Sequence, residues 1–232
     1  MGAASQTGPS GRWRGMKRRQ YVRWGVGFSW WRWCSGPIWT LRARAALRLW
    51  GADVGKGLKV YGPLRIHNEG KIIIGKNVQM RSAGSGNFVG GDRRVAIWVC
   101  RGGRLELGDG CGISNSTIVC LRGVTILPGT YIGGGCDIYD SDLHHLDPED
   151  RLLDRGEVHS APVRIGPKAF VGAFSIILKG VTIGEGAVIG ACSVVTKPVG
   201  PYEIWGGAPA RFIRSLRASA AGSRPAAEKP QG

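Results

Sequence analysis

The chain has 232 residues, 39 of them Gly, and 32 Lys or Arg against 16 Asp or Glu give a formal net charge of +16. That length allows one or two domains with a sizeable core. No run of 18 or more apolar residues occurs, which argues against a membrane-spanning helix. The six Cys form no CxxC pair, which argues against a zinc ribbon or thioredoxin-type motif and fits a reducing cytoplasm.

In chain order, residues 1–37 form a basic extension. The first fifty residues hold ten Lys or Arg, no acidic residue and seven of the nine Trp. The rest of the chain carries a milder +6. In "RWRGMKRRQYVRWGVGFSWWRWCSG", Arg alternates with Trp. That composition suits an anionic membrane surface, where Trp settles at the interface and Arg meets phosphate. Peripheral membrane contact through residues 12–34 is therefore expected. The apolar patch "WGVGFSWW" is short, ends at Arg32 and lacks a clear cleavage site, so it makes a poor signal peptide. Residues 38–53 read as a capping helix, with Ile38, Leu41, Ala45 and Leu49 on one side.

Residues 54–200 carry a six-residue rhythm. Val54, Val60, Ile66 and Ile72 keep it, and Ile74 and Met80 restart it after a slip. Residues 81–106 fit badly and read as an irregular loop or imperfect coil. Leu107, Ile113 and Val119 resume the rhythm, and Ile126, Ile132 and Ile138 continue after one extra residue. Ile165, Val171, Ile177, Ile183, Ile189 and Val195 then follow without error. Gly follows the aliphatic residue at 166, 172, 184 and 190.

A fixed six-residue period is neither helical nor simple strand alternation, and it sets the whole fold. It predicts an all-β solenoid in which each hexad makes one short strand and one corner. Three hexads close a triangular coil. Ile165 then lies under Ile183, Val171 under Ile189, and Ile177 under Val195. One coil cannot bury its apolar ladder alone, so stacking is obligatory. Cys111 and Cys136 fall in apolar positions and read as small core residues rather than disulfides.

Between Ile138 and Ile165 the register breaks, which predicts an inserted loop over 139–162. It begins with "IYDSDLHHLDPEDR", two of the chain's four His among five acidic residues. Long loops in compact folds are usually functional or disordered. Residues 201–216 read as a C-terminal turn and short helix, and 217–232 as a disordered tail.

From about Val54 to Arg214 the pattern resembles the hexapeptide-repeat acyltransferases, whose fold is a left-handed parallel β-helix. The run "VRIGPKAFVGAFSIILKGVTIGEGAVIGACSVVTKPV", followed by "GGAPARFIR", carries that resemblance most specifically. Within the superfamily the chain is similar to sugar and polysaccharide O-acetyltransferases of the maltose acetyltransferase type. "HHLDPEDR" resembles their His-Pro-Leu-Asp-Pro segment, and "ISNSTIVC" the coil with their active-site Asn. The resemblance implies His144 as catalytic base and Asn115 at the acceptor. It implies Thr196, Lys197 and Arg211 at the coenzyme A phosphates or adenine, and Ala173 and Ala191 beside the pantetheine arm. It further implies acetyl-CoA as co-substrate, no metal, a sugar or polysaccharide acceptor, and a homotrimer with clefts between subunits. His145 stands where the family has Pro, which leaves the two His open to exchange of roles. Ala208 stands where the family's turn has Asn.

The chemistry agrees with such a site. An alcohol needs a base as it attacks a thioester, and imidazole has a suitable pKa. Asp142, with Asp140 as second choice, is the expected partner of the imidazole's other nitrogen. His159 precedes the resumed solenoid and His67 receives no role; Lys179 is a weaker coenzyme candidate. No Ser or Cys beside the His suggests a covalent intermediate, so direct transfer is expected. N-acyl or antibiotic acetyl transfer on the same fold is the alternative. A gamma-class carbonic anhydrase would need three His ligands, whose spacing is wrong here. The basic excess lies in one segment without a nucleic-acid motif, so no nucleic-acid partner is expected. The reading places the protein in the cytoplasm, at or near the inner face of the membrane.

Overall fold

A computed structural model of the protein describes residues 22–83 and 87–217, with the helical backbone alone for 22–35. The chain enters through helix α1 (Val22–Leu49), longer than the predicted helix and beginning well before residue 38. It continues through Pro37 and stops where Gly51 turns left-handed at φ 73. There the Ala52 N–H returns to the Leu47 carbonyl at 2.9 Å, a glycine-type helix stop.

Six coils follow. The first is β1 (Asp53–Val54), β2 (Lys59–Tyr61) and β3 (Leu64–Asn68). The second is β4 (Lys71–Ile74), β5 (Gln79–Arg81) and β6 (Val95–Val99). The third is β7 (Arg104–Leu107), β8 (Gly112–Ser114) and β9 (Thr117–Cys120). The fourth is β10 (Gly123–Ile126), β11 (Tyr131–Ile132) and β12 (Asp137–Tyr139). An insertion containing the short helix α2 (Pro148–Leu153) separates it from β13 (Val163–Ile165), β14 (Phe170–Val171) and β15 (Ile176–Ile177). The last coil is β16 (Thr182–Ile183), β17 (Val188–Ile189) and β18 (Val194–Val195), before β19 (Glu203–Gly206) and β20 (Arg211–Ser215).

Strands three apart pair in parallel, which makes three sheets, the faces of a prism. Sheet A is β1-β4-β7-β10-β13-β16, and sheet C is β3-β6-β9-β12-β15-β18. Sheet B runs β2-β5-β8-β11-β14-β17-β19-β20. This is an all-β solenoid. Ile165 pairs with Ile183, Val171 with Ile189 and Ile177 with Val195, as the six-residue rhythm requires. The aliphatic columns are buried and form one continuous core. Cys111 and Cys136 are free thiols inside it.

Four local expectations are corrected. In the third coil Ile118, not Val119, joins the inner column between Ile97 and Ile138; the corner before it is shorter, so strict six-step counting fails. The irregular stretch at 81–106 narrows to residues 82–94, because β6 and β7 lie in register with their neighbours. Residues 201–216 form no helix. β19 adds to β17 in parallel and β20 folds back antiparallel, which covers the last edge of sheet B with its own chain.

The fourth correction concerns α1. It packs on β1, β2 and β3 through buried Gly36, Ala43 and Leu47, with the Thr40 Oγ1 bonded to the Val60 backbone. Ile38, Leu41 and Leu49 face outward. Residues 1–21 and the side chains of 22–35, which carry the Arg/Trp expectation, lie outside the described residues, as do residues 218–232 of the expected tail.

Candidate functional site

Two insertions leave the prism at different edges. Residues 82–94 join sheet B to sheet C in the second coil, and residues 140–162 join sheet C to sheet A after the fourth. They flank the outer face of sheet C. A concavity of about 670 Å³ on that face is lined by Arg65, His67, Ala96, Trp98, Thr117 and Val119 among others. Val119 pairs with Tyr139, so the concavity ends about one strand spacing, roughly 4.8 Å, from the residue that leads into the second loop.

That loop has a built base. Asp140 is fully buried, and its carboxylate accepts N–H bonds from Leu121 at 2.7 Å, Arg122 at 2.7 Å and Gly123 at 2.6 Å. Its carbonyl accepts the Ala161 N–H at 2.8 Å. Ser141 bridges Ser160, and the Asp142 N–H donates to the His159 carbonyl at 3.0 Å. The two ends of the loop are thereby clipped together. Asp147 then caps α2 by accepting from Glu149 and Asp150 N–H groups. Asp140 thus anchors the loop rather than orienting an imidazole. Burial, with the Asp140 carboxylate next in weight, pushes the nearby Cys120 thiol up to about 12.

Beyond this base, His144 is exposed and His145 half-buried. His145 turns toward Gly156, where a Cβ would stand 3.7 Å from its Cε1. Its carbonyl accepts from Arg151 Nη1. Of the adjacent pair, His144 is the more exposed. Asp142 does not partner either ring. It pairs with Lys179, and its Oδ2 is buried without a hydrogen-bond partner. The expected Asp142–imidazole contact is therefore corrected. A lysine 37 residues away sits at the same edge, and an ammonium is a stronger partner for a carboxylate than a neutral ring. His159 is exposed. His67 lies on β3, bonded to Glu69 at 3.0 Å and near Trp50 and Trp98.

The other expected residues fall into two groups. Asn115, Ala173 and Ala191 lie at the corner between sheets B and C; Thr196 and Lys197 lie at the corner between C and A, with Lys179. Arg211 opens β20. Ala191, Thr196, Lys197 and Arg211 are exposed, and Ala173 is half-buried. Asn115 is fully buried. Its Nδ2 donates to the carbonyls of Asn87, Val89 and Gly91 at 3.2, 2.9 and 3.3 Å, which fastens the first insertion to the corner. Within one chain, sheet C separates the Asn115 group from the His144 group.

The sequence marks the first insertion only as irregular, yet it delivers Arg93 onto sheet C. The guanidinium donates to the Gly135 carbonyl at 2.8 Å and Thr117 Oγ1 at 3.2 Å, and pairs with Asp137. The break in rhythm after Met80 was the sequence signal for this loop, but nothing local indicated that Arg93 would cross to strands 24 and 44 residues away. Among the described residues no three His, Cys, Asp or Glu side chains converge as metal ligands.

Residues 162–197 match the family model described as bacterial transferase hexapeptide (six repeats). Those residues carry the bacterial transferase hexapeptide repeat. This hexapeptide-repeat protein is 40% identical over 74 residues to the galactoside O-acetyltransferase of Escherichia coli (strain K12), covering 32% of this chain and 34% of that protein. It spans roughly a third to a half of the curated relatives it matches. Its solenoid resembles AntD, an N-acyltransferase from Bacillus cereus in complex with dTDP and 3-hydroxybutyryl-CoA, with TM-score 0.60, 22% identity, and coverage of 75% of this chain and 88% of that one. It also resembles a hexapeptide-repeat acetyltransferase from Vibrio cholerae O1 biovar eltor complexed with acetyl coenzyme A, with TM-score 0.50, 25% identity, and coverage of 76% and 77%.

Proposed function

We propose that this protein transfers an acetyl group from acetyl-CoA to a hydroxyl of a sugar or surface polysaccharide, with His144 as general base. The observation that carries this reading is the exposed imidazole of His144 on a loop clipped at its base to the face that bears the concavity. The similarity to a galactoside O-acetyltransferase supports a sugar hydroxyl, and the similarity to an acetyltransferase complexed with acetyl coenzyme A supports the donor.

In the proposed reaction the acceptor oxygen attacks the thioester carbon while His144 takes the hydroxyl proton. The tetrahedral intermediate collapses, the C–S bond breaks, and the imidazolium returns the proton to the leaving coenzyme A thiolate. A positioned base supplies about 10²- to 10⁴-fold, and holding both substrates in one site adds to that. Among the described residues, the accessible thiols Cys100 and Cys192 have no paired base, and Cys120, Cys111 and Cys136 are buried with their thiols pushed up, chiefly by burial. That supports direct transfer. Lys197 and Arg211 would meet the coenzyme phosphates.

The separation of the two residue groups by sheet C supports a site shared between copies. In a homotrimer, His144, Thr196 and Lys197 of one copy would face the Ala173–Ala191 corner of the next, and a closed ring satisfies all three clefts. The test is release of coenzyme A thiol from acetyl-CoA across a panel of oligosaccharides, nucleotide sugars and amino sugars, with His144→Ala beside the native protein. Turnover on hydroxyl sugars alone supports the reading. Turnover confined to amino sugars would replace it with N-acyl transfer.

A further inference from the structure

Helix α1 carries two apolar faces, and the prism uses one of them. Gly36, Ala43 and Leu47 are buried against the first coil. Ile38, Leu41 and Leu49 are 58%, 71% and 88% exposed. With exposed Ala45 they recur at steps of three, four and four, which places them in one stripe along the helix. Exposed Arg42 and Arg48 flank the stripe. Beside it, between α1 and β2, lies a concavity of about 590 Å³ lined by Pro37, Leu41, Arg44, Lys59 and Tyr61 among others. Its walls are mainly apolar and it carries two cations. Among the described residues Lys59 makes no ion pair.

We propose that this face of α1 docks on an anionic phospholipid bilayer. The Ile38–Leu41–Leu49 stripe enters the headgroup boundary, and Arg42, Arg48 and Lys59 meet lipid phosphates. Charge complementarity selects the occupant. Residues 36–52 carry Arg42, Arg44 and Arg48 and no Asp or Glu, so this face attracts an anionic surface. A helix that presents Leu and Ile on one side with flanking Arg lies in the interface rather than crossing it. No helix among the described residues is long and apolar enough to cross. The loop with His144 leaves the prism between its fourth and fifth coils, roughly 17 Å from the first at one strand spacing per coil. If acetyl transfer is the activity, the acceptor is then met close to the membrane; the docking itself does not depend on that reading.

The experiment is cosedimentation of the full chain with vesicles of phosphatidylglycerol and phosphatidylcholine, and with phosphatidylcholine alone. The native protein binds the anionic vesicles, and binding weakens as salt is raised. Leu41→Gln with Leu49→Gln lowers the partition coefficient about tenfold or more. Lys59→Glu, at the rim of the concavity, lowers it about tenfold. Both variants keep the native melting curve, solution mass and coenzyme A release on soluble acceptor. Native-like binding by the double variant overturns the proposal, because binding then belongs to the Arg/Trp segment upstream. Loss of the native solution mass in that variant without lipid overturns it too, because a second copy then covers the face. Vesicle binding without coenzyme A release in the native protein leaves the docking intact and removes the acetyl-transfer reading.

Discussion

Replacing Asp140 tests how the loop that carries His144 is anchored. Its carboxylate is fully buried and accepts three backbone N–H groups at 2.6 to 2.7 Å. Asp140→Ala removes all three acceptors. Hydrogen bonds to a charged group contribute about 1.5–3 kcal/mol each. Leu121 and Gly123 are half-buried and Arg122 is exposed, so water reaches part of the freed corner. The lower end of that range, about 1.5 kcal/mol per bond, then applies, and the total is about 4.5 kcal/mol. Asp140→Asn keeps one oxygen, which can stay with Arg122 and Gly123, but sets an NH₂ against the Leu121 N–H. It should cost about half as much. Guanidinium unfolding at fixed protein concentration measures both, with the slope checked for constancy. An Asp140→Ala protein within about 1 kcal/mol of the native one, or an Asn variant as damaging as Ala, would refute the reasoning.

The remaining predictions concern the site, the corners and the thiols. His144→Ala should lower the rate of coenzyme A release about 10²- to 10⁴-fold, whereas His145→Ala should leave most activity; a larger loss in the second variant would exchange their roles. Gly172→Ala places a Cβ 2.6 Å from the Ala191 nitrogen, so it should destabilise the stack by about 1–3 kcal/mol in thermal or chemical unfolding. Asn115→Ala removes the three bonds that hold the first insertion, and limited proteolysis within residues 82–94 should accelerate. Cys120 is raised from the ordinary 9.0 to about 12, first by burial and then by Asp140. The unfolded thiol therefore releases its proton before the folded one does. That contribution to stability is intact below pH 9 and is lost as pH rises toward about 12. The alkaline fall in stability should be shallower in Cys120→Ala, with pH-dependent unfolding as the readout.

Much of this protein was legible in its residues. Every sixth side chain from Ile165 to Val195 is aliphatic, and in a short-strand coil such positions must point inward or leave an apolar ladder in water. The period therefore determined the stacked prism and even the pairs Ile165–Ile183, Val171–Ile189 and Ile177–Val195. The break after Ile138 likewise placed the loop that carries His144. Tertiary structure decided what periodicity does not encode. Both faces of α1 are apolar by pattern, and only contact with the first coil selected Ala43 and Leu47. Ile118 replaced Val119 inside because register follows the neighbouring strand, not the count from the previous hexad. Asp142 found Lys179, and Arg93 found Thr117 and Asp137, because the solenoid sets side chains side by side that lie 24 to 44 residues apart in sequence. A repeat determines which way each residue faces; which charged partner waits at the edge depends on how the coils stack.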